Sequence, residues 1–464
     1  MVQGVVIEDG HIVDVDPATG EVIARVKCST PADVTAAVAA CAAAQPAWAA
    51  TPLAARIALL KEACRLLGAD GKAAALAALI TQEMGKIAEE AAEEVSGACA
   101  KDDWLDLISD ANVPVRVDNG LVVREAHGVV AVCSPWNFPA DEILLLAMPA
   151  LAAGNCVVLK PSEVVPLIGA AVYDALAAAL PKDVIRIVQG DGVIGAALVA
   201  ADVQMCTMTG STATGKKIMA SCADGLKRLV LELGGKDPML VFADADLDKA
   251  AEDAVTFSLF NTGQVCCSVE RVYVAREVCA AFVEKCAERV RAAHCGDGRD
   301  ARSKIGPMVS RVQRDAVKAQ IAEAVQHGAR VAAQGEAPSD DHRGNWLPAT
   351  LLVDVPHDSP MTRDETFGPV VAVTSFDGSE AEGIRLANDT VYGLAAYVYT
   401  ADLAKGERVA MQIKAGQVGI NTWSLACAPA QCPWIGHKGS GFGSHSGPDG
   451  WRAFSNPKSL IFAV

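Results

Sequence analysis

The stretch from Gly128 to Lys160, GVVAVCSPWNFPADEILLLAMPALAAGNCVVLK, decides the fold class. Two short apolar runs, at 129–134 and 156–160, flank an apolar segment of helical length. Strands that are apolar on both faces and joined through a helix are typical of a parallel sheet covered by crossover helices. The stretch therefore predicts a β-α-β unit of an α/β protein.

The same alternation continues towards the C-terminus. We expect further strands at 185–188, 203–208 and 227–232, separated by helices near 142–153, 167–179, 193–200 and 214–221. This pattern predicts a doubly wound, nucleotide-binding sheet. A second series predicts another α/β unit, with helices at 251–260 and 278–293 and strands at 271–274 and 370–375.

The region before Gly128 has a different pattern. Residues 30–109 are alanine-rich with apolar positions at helical spacing, which predicts several amphipathic helices that cover a sheet. Residues 115–123 are strand-like around the turn signal Asp118-Asn119-Gly120, which predicts a β-hairpin.

Composition excludes several classes of protein. The chain has 464 residues, of which 51% are hydrophobic and 21% charged, so we expect a globular protein of two domains. The net charge is -16 and we find no run rich in Lys and Arg, which argues against a nucleic-acid partner. The start, MVQGV, does not have the pattern of a signal peptide, and the longest apolar run, 143–153, is shorter than the ~20 residues of a membrane span.

The fifteen cysteines do not have the spacing of a disulfide framework or a metal site. We therefore expect a reducing compartment, which indicates the cytoplasm. The eight histidines are scattered without HxxxH or HExxH spacing, so we expect no metal.

Two glycine-rich segments resemble phosphate-binding motifs. GDGVIG, from Gly190, matches the dinucleotide fingerprint but follows the third predicted strand, so it is either a cofactor contact or only a tight turn. GSTATGKK, from Gly210, is close to a P-loop, but Lys217 replaces the hydroxyl that would bind magnesium, which excludes a nucleotide triphosphatase. Ser211 is a candidate phosphate contact at a helix N-terminus, or else only the cap of that helix.

Two residues are candidates for covalent chemistry. Cys266 lies just beyond a predicted helix, in the glycine-containing segment FNTGQVCC, and is either a nucleophile or inert packing. Glu232 ends a predicted strand beside two glycines, where a general base could lie.

Taken together, the motifs resemble the aldehyde dehydrogenase superfamily, in particular its betaine aldehyde and succinate semialdehyde dehydrogenase-like members. The motifs that carry the resemblance occur in the family's order along nearly the whole chain: PWNFP from Pro135, KPSE from Lys160, TGS from Thr209, ELGGK from Glu232, NTGQVC from Asn261, ETFGP from Glu365 and NDTVYGL from Asn388. Two stretches depart from the usual pattern, namely 433–436, with a longer preceding loop, and 444–445.

The resemblance implies a role for each motif. Cys266 resembles the nucleophile, Glu232 the general base and Asn137 the amide donor of the oxyanion hole. The residues that resemble cofactor contacts are Trp136, Lys160, Ser162, Glu163, Gly190, Ser211, Leu233, Glu365 and Phe367. Arg271 matches an arginine of the family, and one interpretation is that its role is structural.

The resemblance also implies the architecture. We expect an NAD(P)-binding domain at 1–112 and 128–234, a catalytic domain at 235–425, and a small β extension for oligomerisation at 113–127 and 426–464. Because unpaired strand edges of the extension would be satisfied by another subunit, a homodimer or homotetramer is expected.

The implied activity is NAD(P)-dependent oxidation of an aldehyde to an acid. Because the Glu163 carboxylate would repel a 2′-phosphate, NAD should be preferred and NADP remains an alternative. Asp141 and Glu142 would favour a cationic aldehyde, such as an aminoaldehyde or betaine aldehyde, unless they only cap a helix. The alternative substrates are succinate semialdehyde or a general aliphatic aldehyde. An alternative reaction is transfer of the acyl group to CoA, which Glu232 argues against. An alternative of another class is a catalytically silent protein of the same fold.

Overall fold

The computed structural model describes residues 4–339 and 343–463, which form four β-sheets and their covering helices. Residues 1–3, part of the start compared with a signal peptide, lie outside the described residues. The first sheet is antiparallel and consists of β1 (Val6–Glu8), β2 (His11–Val15) and β3 (Val22–Lys27).

The predicted alanine-rich helices follow. They are α1 (Pro31–Ala50), α2 (Leu53–Gly68), α3 (Lys72–Met84), α4 (Ala88–Cys99) and α5 (Asp102–Asn112). α1 begins with a capping box, in which the Thr30 hydroxyl accepts from the Asp33 N–H and the Asp33 carboxylate accepts from the Thr30 N–H. Leu60, Ile80 and Leu105 are fully buried, so each helix presents an apolar face to the core.

The predicted hairpin is confirmed. β4 (Val115–Val117) and β5 (Gly120–Ala126) pair antiparallel, and Asp118 adopts a positive φ of 46° in the turn between them.

The doubly wound sheet is also confirmed. Its elements are β6 (Val129–Cys133), α6 (Asp141–Ala152), β7 (Cys156–Lys160), α7 (Pro166–Ala179), β8 (Ile185–Ile187), α8 (Gly192–Ala200), β9 (Met205–Thr209), α9 (Thr212–Cys222) and β10 (Arg228–Glu232). These five strands are parallel and lie in the order β10-β9-β6-β7-β8. The chain thus adds β7 and β8 on one side of β6 and then returns to add β9 and β10 on the other.

This reversal fixes where a ligand can bind. The loops that follow β6 and β9 leave the sheet in opposite directions, and such a switch point leaves a crevice at the carboxyl ends of the strands. The loops at 134–140 and 210–211 lie at this crevice.

A seven-stranded sheet forms the second α/β unit. Its elements are β11 (Asp237–Val241), α10 (Leu247–Leu259), β12 (Val269–Ala275), α11 (Arg276–Ala292), α12 (Arg311–Gln326), β13 (Arg330–Gln334), β14 (Thr350–Val353), α13 (Pro360–Arg363), β15 (Val370–Phe376), α14 (Glu380–Asn388), β16 (Ala395–Tyr399), α15 (Leu403–Ala410) and β17 (Gln417–Ile420). The order is β13-β14-β15-β12-β11-β16-β17, and only β13 is antiparallel to its neighbour. A short 3-10 helix, Phe260–Gly263, follows α10.

The C-terminal segment joins two different sheets. It contains α16 (Ser424–Cys427), β18 (Gly441–Phe442), α17 (Gly447–Arg452) and β19 (Ser455–Ile461). β19 pairs with β5, which gives the small sheet β19-β5-β4, whereas β18 pairs antiparallel with β10 at the edge of the doubly wound sheet. The segment 426–464 therefore contributes to more than the small sheet, and the domain boundaries stay a prediction. Within the described ranges, no helix is both long and apolar enough to cross a membrane.

Candidate active site

A cavity of about 670 Å³ lies at the carboxyl ends of β6, β9 and β10, at the predicted switch point. Eleven of the twelve residues that the sequence singles out line it: Trp136, Asn137, Lys160, Ser162, Glu163, Ser211, Glu232, Leu233, Cys266, Glu365 and Phe367. The ordered motifs are thus brought to one place.

Gly190 is the exception, because it is missing from the described residues that line the cavity. A Cβ at Gly190 would lie 2.5 Å from the Cγ1 of Ile194, so this glycine is required by packing within its own turn. The turn follows β8, an edge strand two positions away from the switch point. The tight-turn interpretation of the fingerprint therefore fits Gly190, while the adjacent Asp191 and Gly192 line the cavity.

The segment before Cys266 has an unusual backbone. Asn261, Thr262 and Gly263 all have positive φ angles, of 51°, 58° and 72°. A Cβ at Gly263 would lie 2.1 Å from the carbonyl oxygen of Gly368, so no larger residue fits there. This left-handed turn follows the end of α10 and redirects the chain, so that Cys266 lies in the cavity wall.

The two adjacent cysteines have different surroundings. A hydrogen bond with the Cys267 side chain, together with burial, raises the pKa of the Cys266 thiol, so Cys266 requires a base to become a thiolate. Cys267 is fully buried, and its carbonyl accepts from the Tyr397 hydroxyl at 2.7 Å and the Trp423 indole N–H at 3.1 Å. Trp423 is only 4% exposed and belongs to the apolar core beside this loop.

Glu232 ends β10 inside the cavity. Burial raises the pKa of its carboxyl to about 7, while hydrogen bonding by Trp434, Cys266 and Thr209 acts in the opposite direction. The Trp434 indole N–H donates to Oε1 at 3.2 Å, and the buried Oε2 receives no hydrogen bond of ordinary geometry from the described residues. Glu232 is therefore able to accept a proton near neutral pH, at its unpartnered oxygen Oε2.

Asn137 belongs to the same hydrogen-bond network as the Cys266 loop. Its side-chain amide donates to the Gln264 carbonyl at 3.0 Å, and the Asn261 amide donates to the Asn137 carbonyl at 3.0 Å. Asn137 is only 5% exposed. Its amide group is thus held beside the loop that carries the thiol.

Local contacts hold the side chains of the residues predicted to bind the cofactor. The Lys160 ammonium lies 3.0 Å from the Glu163 carboxylate, and the rings of Trp136 and Phe367 meet edge to face at 5.5 Å. Ser211 caps α9, since its hydroxyl accepts from the Thr214 N–H at 3.3 Å. Ser211 thus caps α9 and also lines the cavity, so capping leaves its phosphate contact a prediction.

Glu365 reaches the site because two glycines leave room for it. The Gly235 N–H donates to Glu365 at 3.1 Å, and a Cβ at Gly234 would lie 2.4 Å from its carboxylate. Burial and the charge of Glu270 raise the pKa of Glu365 to about 8.

The two acidic residues at the start of α6 do not act together. Asp141 forms an ion pair with Lys101 at 2.6 Å, whereas Glu142 accepts a hydrogen bond from the Thr209 hydroxyl at 2.9 Å. Burial, followed by the charge of Glu232, raises the pKa of Glu142 well above its ordinary value. Lys101 thus neutralises the Asp141 carboxylate and Glu142 is partly buried beside Thr209, so the two residues do not form one acidic patch.

Sequence reasoning missed two contacts of the catalytic carboxyl. Trp434 lies in the stretch 433–436 that departs from the family pattern, and Thr209 was named only as part of a motif, yet both contact Glu232. The departure from the pattern marks the stretch but does not indicate which residue Trp434 contacts. Arg271 has a structural role, since its buried guanidinium donates to the backbone carbonyls of Lys236, Leu386 and Ala387.

Comparison with known proteins decides the family. The model of the aldehyde dehydrogenase family matches residues 6–460. The chain belongs to the aldehyde dehydrogenase family. It is 39% identical to the betaine aldehyde dehydrogenase of Sinorhizobium fredii over 475 residues, which cover 100% of this chain and 96% of that relative.

Solved structures support the same assignment. An NADP-dependent enzyme of E. coli has a TM-score of 0.91 at 35% identity, covering 98% of this chain and 95% of its own. The betaine aldehyde dehydrogenase of Staphylococcus aureus, solved with NAD+, has a TM-score of 0.91 at 31% identity, covering 96% and 90%. This aldehyde dehydrogenase is accordingly an NAD(P)-dependent oxidoreductase that oxidises aldehydes to carboxylic acids.

Proposed function

We propose that this aldehyde dehydrogenase acts through a thioester on Cys266, with Glu232 as general base and Asn137 as oxyanion donor. The observation that carries the proposal is that these three side chains line one cavity, at the switch point of the doubly wound sheet. The raised pKa of Cys266 means that its thiol requires a base, and Glu232, with a pKa of about 7, is ionised near neutral pH and can take the proton as the sulfur bonds to the carbonyl carbon.

Each residue has a defined part in the reaction. An aldehyde cannot lose hydride directly, so the Cys266 sulfur first adds to the carbonyl carbon while its proton passes to Glu232. The carbonyl oxygen then carries the negative charge. Asn137 uses one of its two amide hydrogens on Gln264, and we assign the other to this oxyanion. A donor of this kind stabilises the transition state by about 3 kcal/mol.

The second half of the reaction depends on Glu232. The hydride that the oxyanion expels would go to NAD(P)+ held in the cavity, which would leave a thioester on Cys266. Glu232 first releases the Cys266 proton to solvent and then takes a proton from water, whose oxygen attacks the acyl carbon. The acid leaves as Glu232 returns this proton to the sulfur, which regenerates the thiol. The unpartnered Oε2 of Glu232 is the atom that we assign to this proton.

The cavity fits a dinucleotide. The helices α8 and α9 begin at its wall, and free amides at helix N-termini bind pyrophosphate. We propose that Ser211 lies at the phosphates, Lys160, Ser162 and Glu163 at the adenosine ribose, and Trp136, Leu233, Glu365 and Phe367 at the nicotinamide half. NAD is the proposed preferred cofactor, because the Glu163 carboxylate repels a 2′-phosphate.

We propose a cationic aldehyde, betaine aldehyde or an aminoaldehyde, as the substrate class. The support is the identity to relatives with betaine aldehyde dehydrogenase in their names and the negative charge of Glu232, which lines the cavity and lies near Glu142. Because Asp141 is neutralised by Lys101, it does not contribute to this preference.

One set of assays tests these assignments. We expect NADH formation with betaine aldehyde at a higher kcat/KM than with a neutral aldehyde of similar size or with succinate semialdehyde, and with no requirement for CoA. Glu232→Gln should form one equivalent of NADH rapidly and then stall at the thioester. Steady turnover by this variant at the rate of the unaltered enzyme would remove Glu232 from the mechanism.

We further propose a homo-oligomer in the cytoplasm. The small sheet ends in β4, whose outer edge is unpaired among the described residues and whose Val115 and Val117 are about half exposed. A second copy of the chain would cover this edge. All fifteen cysteines are free thiols, which fits a reducing compartment.

A further inference from the structure

A second, partly buried carboxyl group lies near the catalytic one and has no part in the reaction described above. Glu142 begins α6 and Glu232 ends β10, and the Thr209 hydroxyl lies between them. This hydroxyl donates to Oε2 of Glu142 at 2.9 Å and also lies near enough to Glu232 to lower its pKa. Glu142 and Glu232 therefore form a carboxyl pair bridged by Thr209.

The charged groups around the pair do not neutralise it. Lys101 attracts Glu142, but its ammonium is already ion-paired with Asp141. The other titratable groups nearby are His445, whose pKa is lowered to about 4 by burial, Glu365, whose pKa is raised to about 8, the Cys266 thiol, and Glu94, which is ion-paired with Lys86. At neutral pH the pair therefore has no cation of its own.

Two neighbouring carboxyl groups in a buried, low-dielectric site cannot both ionise at neutral pH, and the pair then carries a single negative charge. The Trp434 N–H donates to Glu232 and stabilises the charge there. When Glu142 carries a proton, its O–H donates to the Thr209 oxygen 2.9 Å away, and the single Thr209 hydrogen is then available to Glu232. We propose that Glu142 is a positioning residue that retains its proton and is linked to Glu232 through Thr209, so that the single charge of the pair stays on the catalytic base.

This arrangement protects the nucleophile. Both Glu232 and Glu142 raise the pKa of Cys266 when they are charged, so a second carboxylate would oppose formation of the thiolate and of the oxyanion. A protonated Glu142 removes this second charge while Glu232 still accepts the proton of Cys266. The inference rests on the proposed roles of Cys266 and Glu232.

The test is the rate at which iodoacetamide alkylates Cys266 in the enzyme without cofactor, followed by mass spectrometry of the labelled peptide between pH 6 and pH 10. Fragmentation distinguishes Cys266 from Cys267 in that peptide. Glu142→Gln should match the unaltered enzyme at pH 7, where Glu142 is protonated. Above the pH at which Glu142 loses its proton, the variant should react at least about threefold faster than the unaltered enzyme, which corresponds to a shift of half a pH unit in the Cys266 titration.

A matched pair of variants tests the bridge. Thr209→Val removes the hydroxyl at nearly the same volume, and the acid midpoint of kcat against pH should rise by about half a unit or more, because Glu232 loses a hydrogen bond to its charged form. Thr209→Ser retains the hydroxyl and should keep the midpoint of the unaltered enzyme. If the valine and serine variants share one midpoint, the bridge is refuted.

A Glu142→Gln variant that is alkylated about threefold faster than the unaltered enzyme already at pH 7 would overturn the inference, because Glu142 would then be charged beside Glu232. Thermal melting and binding of NAD+ establish that each variant is folded, and if Glu142→Gln does not fold, the Thr209 pair decides the question alone. Failure of the proposed function is distinguishable, because it would be seen as aldehyde oxidation that persists in Cys266→Ala, whereas the alkylation profile requires no aldehyde.

Discussion

Replacement of Trp434 by phenylalanine should move the pH at which the enzyme becomes active. The Trp434 N–H is the hydrogen-bond donor to Oε1 of Glu232, at 3.2 Å, and phenylalanine keeps most of the ring without the donor. A hydrogen bond to a charged group contributes about 1.5–3 kcal/mol, and this bond is long, so we take the lower value. Since about 1.4 kcal/mol corresponds to one pKa unit, the pKa of Glu232 should rise from about 7 to about 8.

The sign follows from the form that the bond stabilises. The indole N–H stabilises the carboxylate, so its loss favours the protonated acid, which cannot act as a base. At pH 7 the ionised fraction should fall from about one half to about one tenth, which lowers kcat about fivefold, whereas near pH 9.5 the two enzymes should be nearly equal. The assay is kcat at saturating aldehyde and cofactor, measured from pH 6 to pH 10.

Trp423→Phe is the matched control. Trp423 also donates its indole N–H beside the nucleophile, but to the Cys267 carbonyl and not to Glu232. This variant should lower Tm without moving the acid midpoint. Two results would refute the assignment of the acid limb of the pH profile to the contact between Trp434 and Glu232. One is an acid midpoint of kcat that is the same in Trp434→Phe and the unaltered enzyme, and the other is an equal shift of this midpoint in Trp423→Phe.

Three further predictions concern the cavity. Cys266→Ala should abolish aldehyde oxidation and retain cofactor binding by fluorescence titration, while Cys267→Ala should retain most activity; the reverse pattern would mean that the nucleophile is misassigned. Gly263→Ala should lower the free energy of unfolding in denaturant by about 3 kcal/mol or more, because φ is 72° and the added methyl would overlap the Gly368 carbonyl. An unchanged unfolding midpoint would contradict this. Glu163→Gln should lower the ratio of kcat/KM with NAD to kcat/KM with NADP. An unchanged ratio would mean that residues other than Glu163 determine the cofactor selectivity.

The doubly wound sheet could be predicted because its strands are bounded by strong local signals. The strand Cys156–Lys160 was placed correctly, since Gly154-Asn155 and Pro161 limit it on both sides. The strand Asp237–Val241 was not predicted, because an aspartate followed by a proline is typical of a turn. It nevertheless lies inside the seven-stranded sheet with all five residues buried, since pairing with both neighbouring strands outweighs local preference.

The candidate site was predicted to the extent that its residues lie in ordered motifs. Cys266, Glu232 and Asn137 came from three such motifs, and they line one cavity. The contact between Trp434 and Glu232 could not be predicted, because it joins residues about two hundred positions apart through the turns around β18. Gly190 misled because a motif of three glycines describes a turn, and whether that turn meets a ligand depends on which strand it follows.

The start of α6 illustrates why adjacent acidic residues cannot be treated as one patch. Successive residues of an α-helix point about 100° apart. Asp141 therefore meets Lys101, while Glu142 faces the sheet and meets Thr209. Since the lysine neutralises Asp141 and burial holds the proton on Glu142, the electrostatic attraction available to a cationic aldehyde comes from the single charge of Glu232. That charge develops as the pH rises through about 7, so a single titration, that of Glu232, produces both the general base and the charge that attracts the substrate.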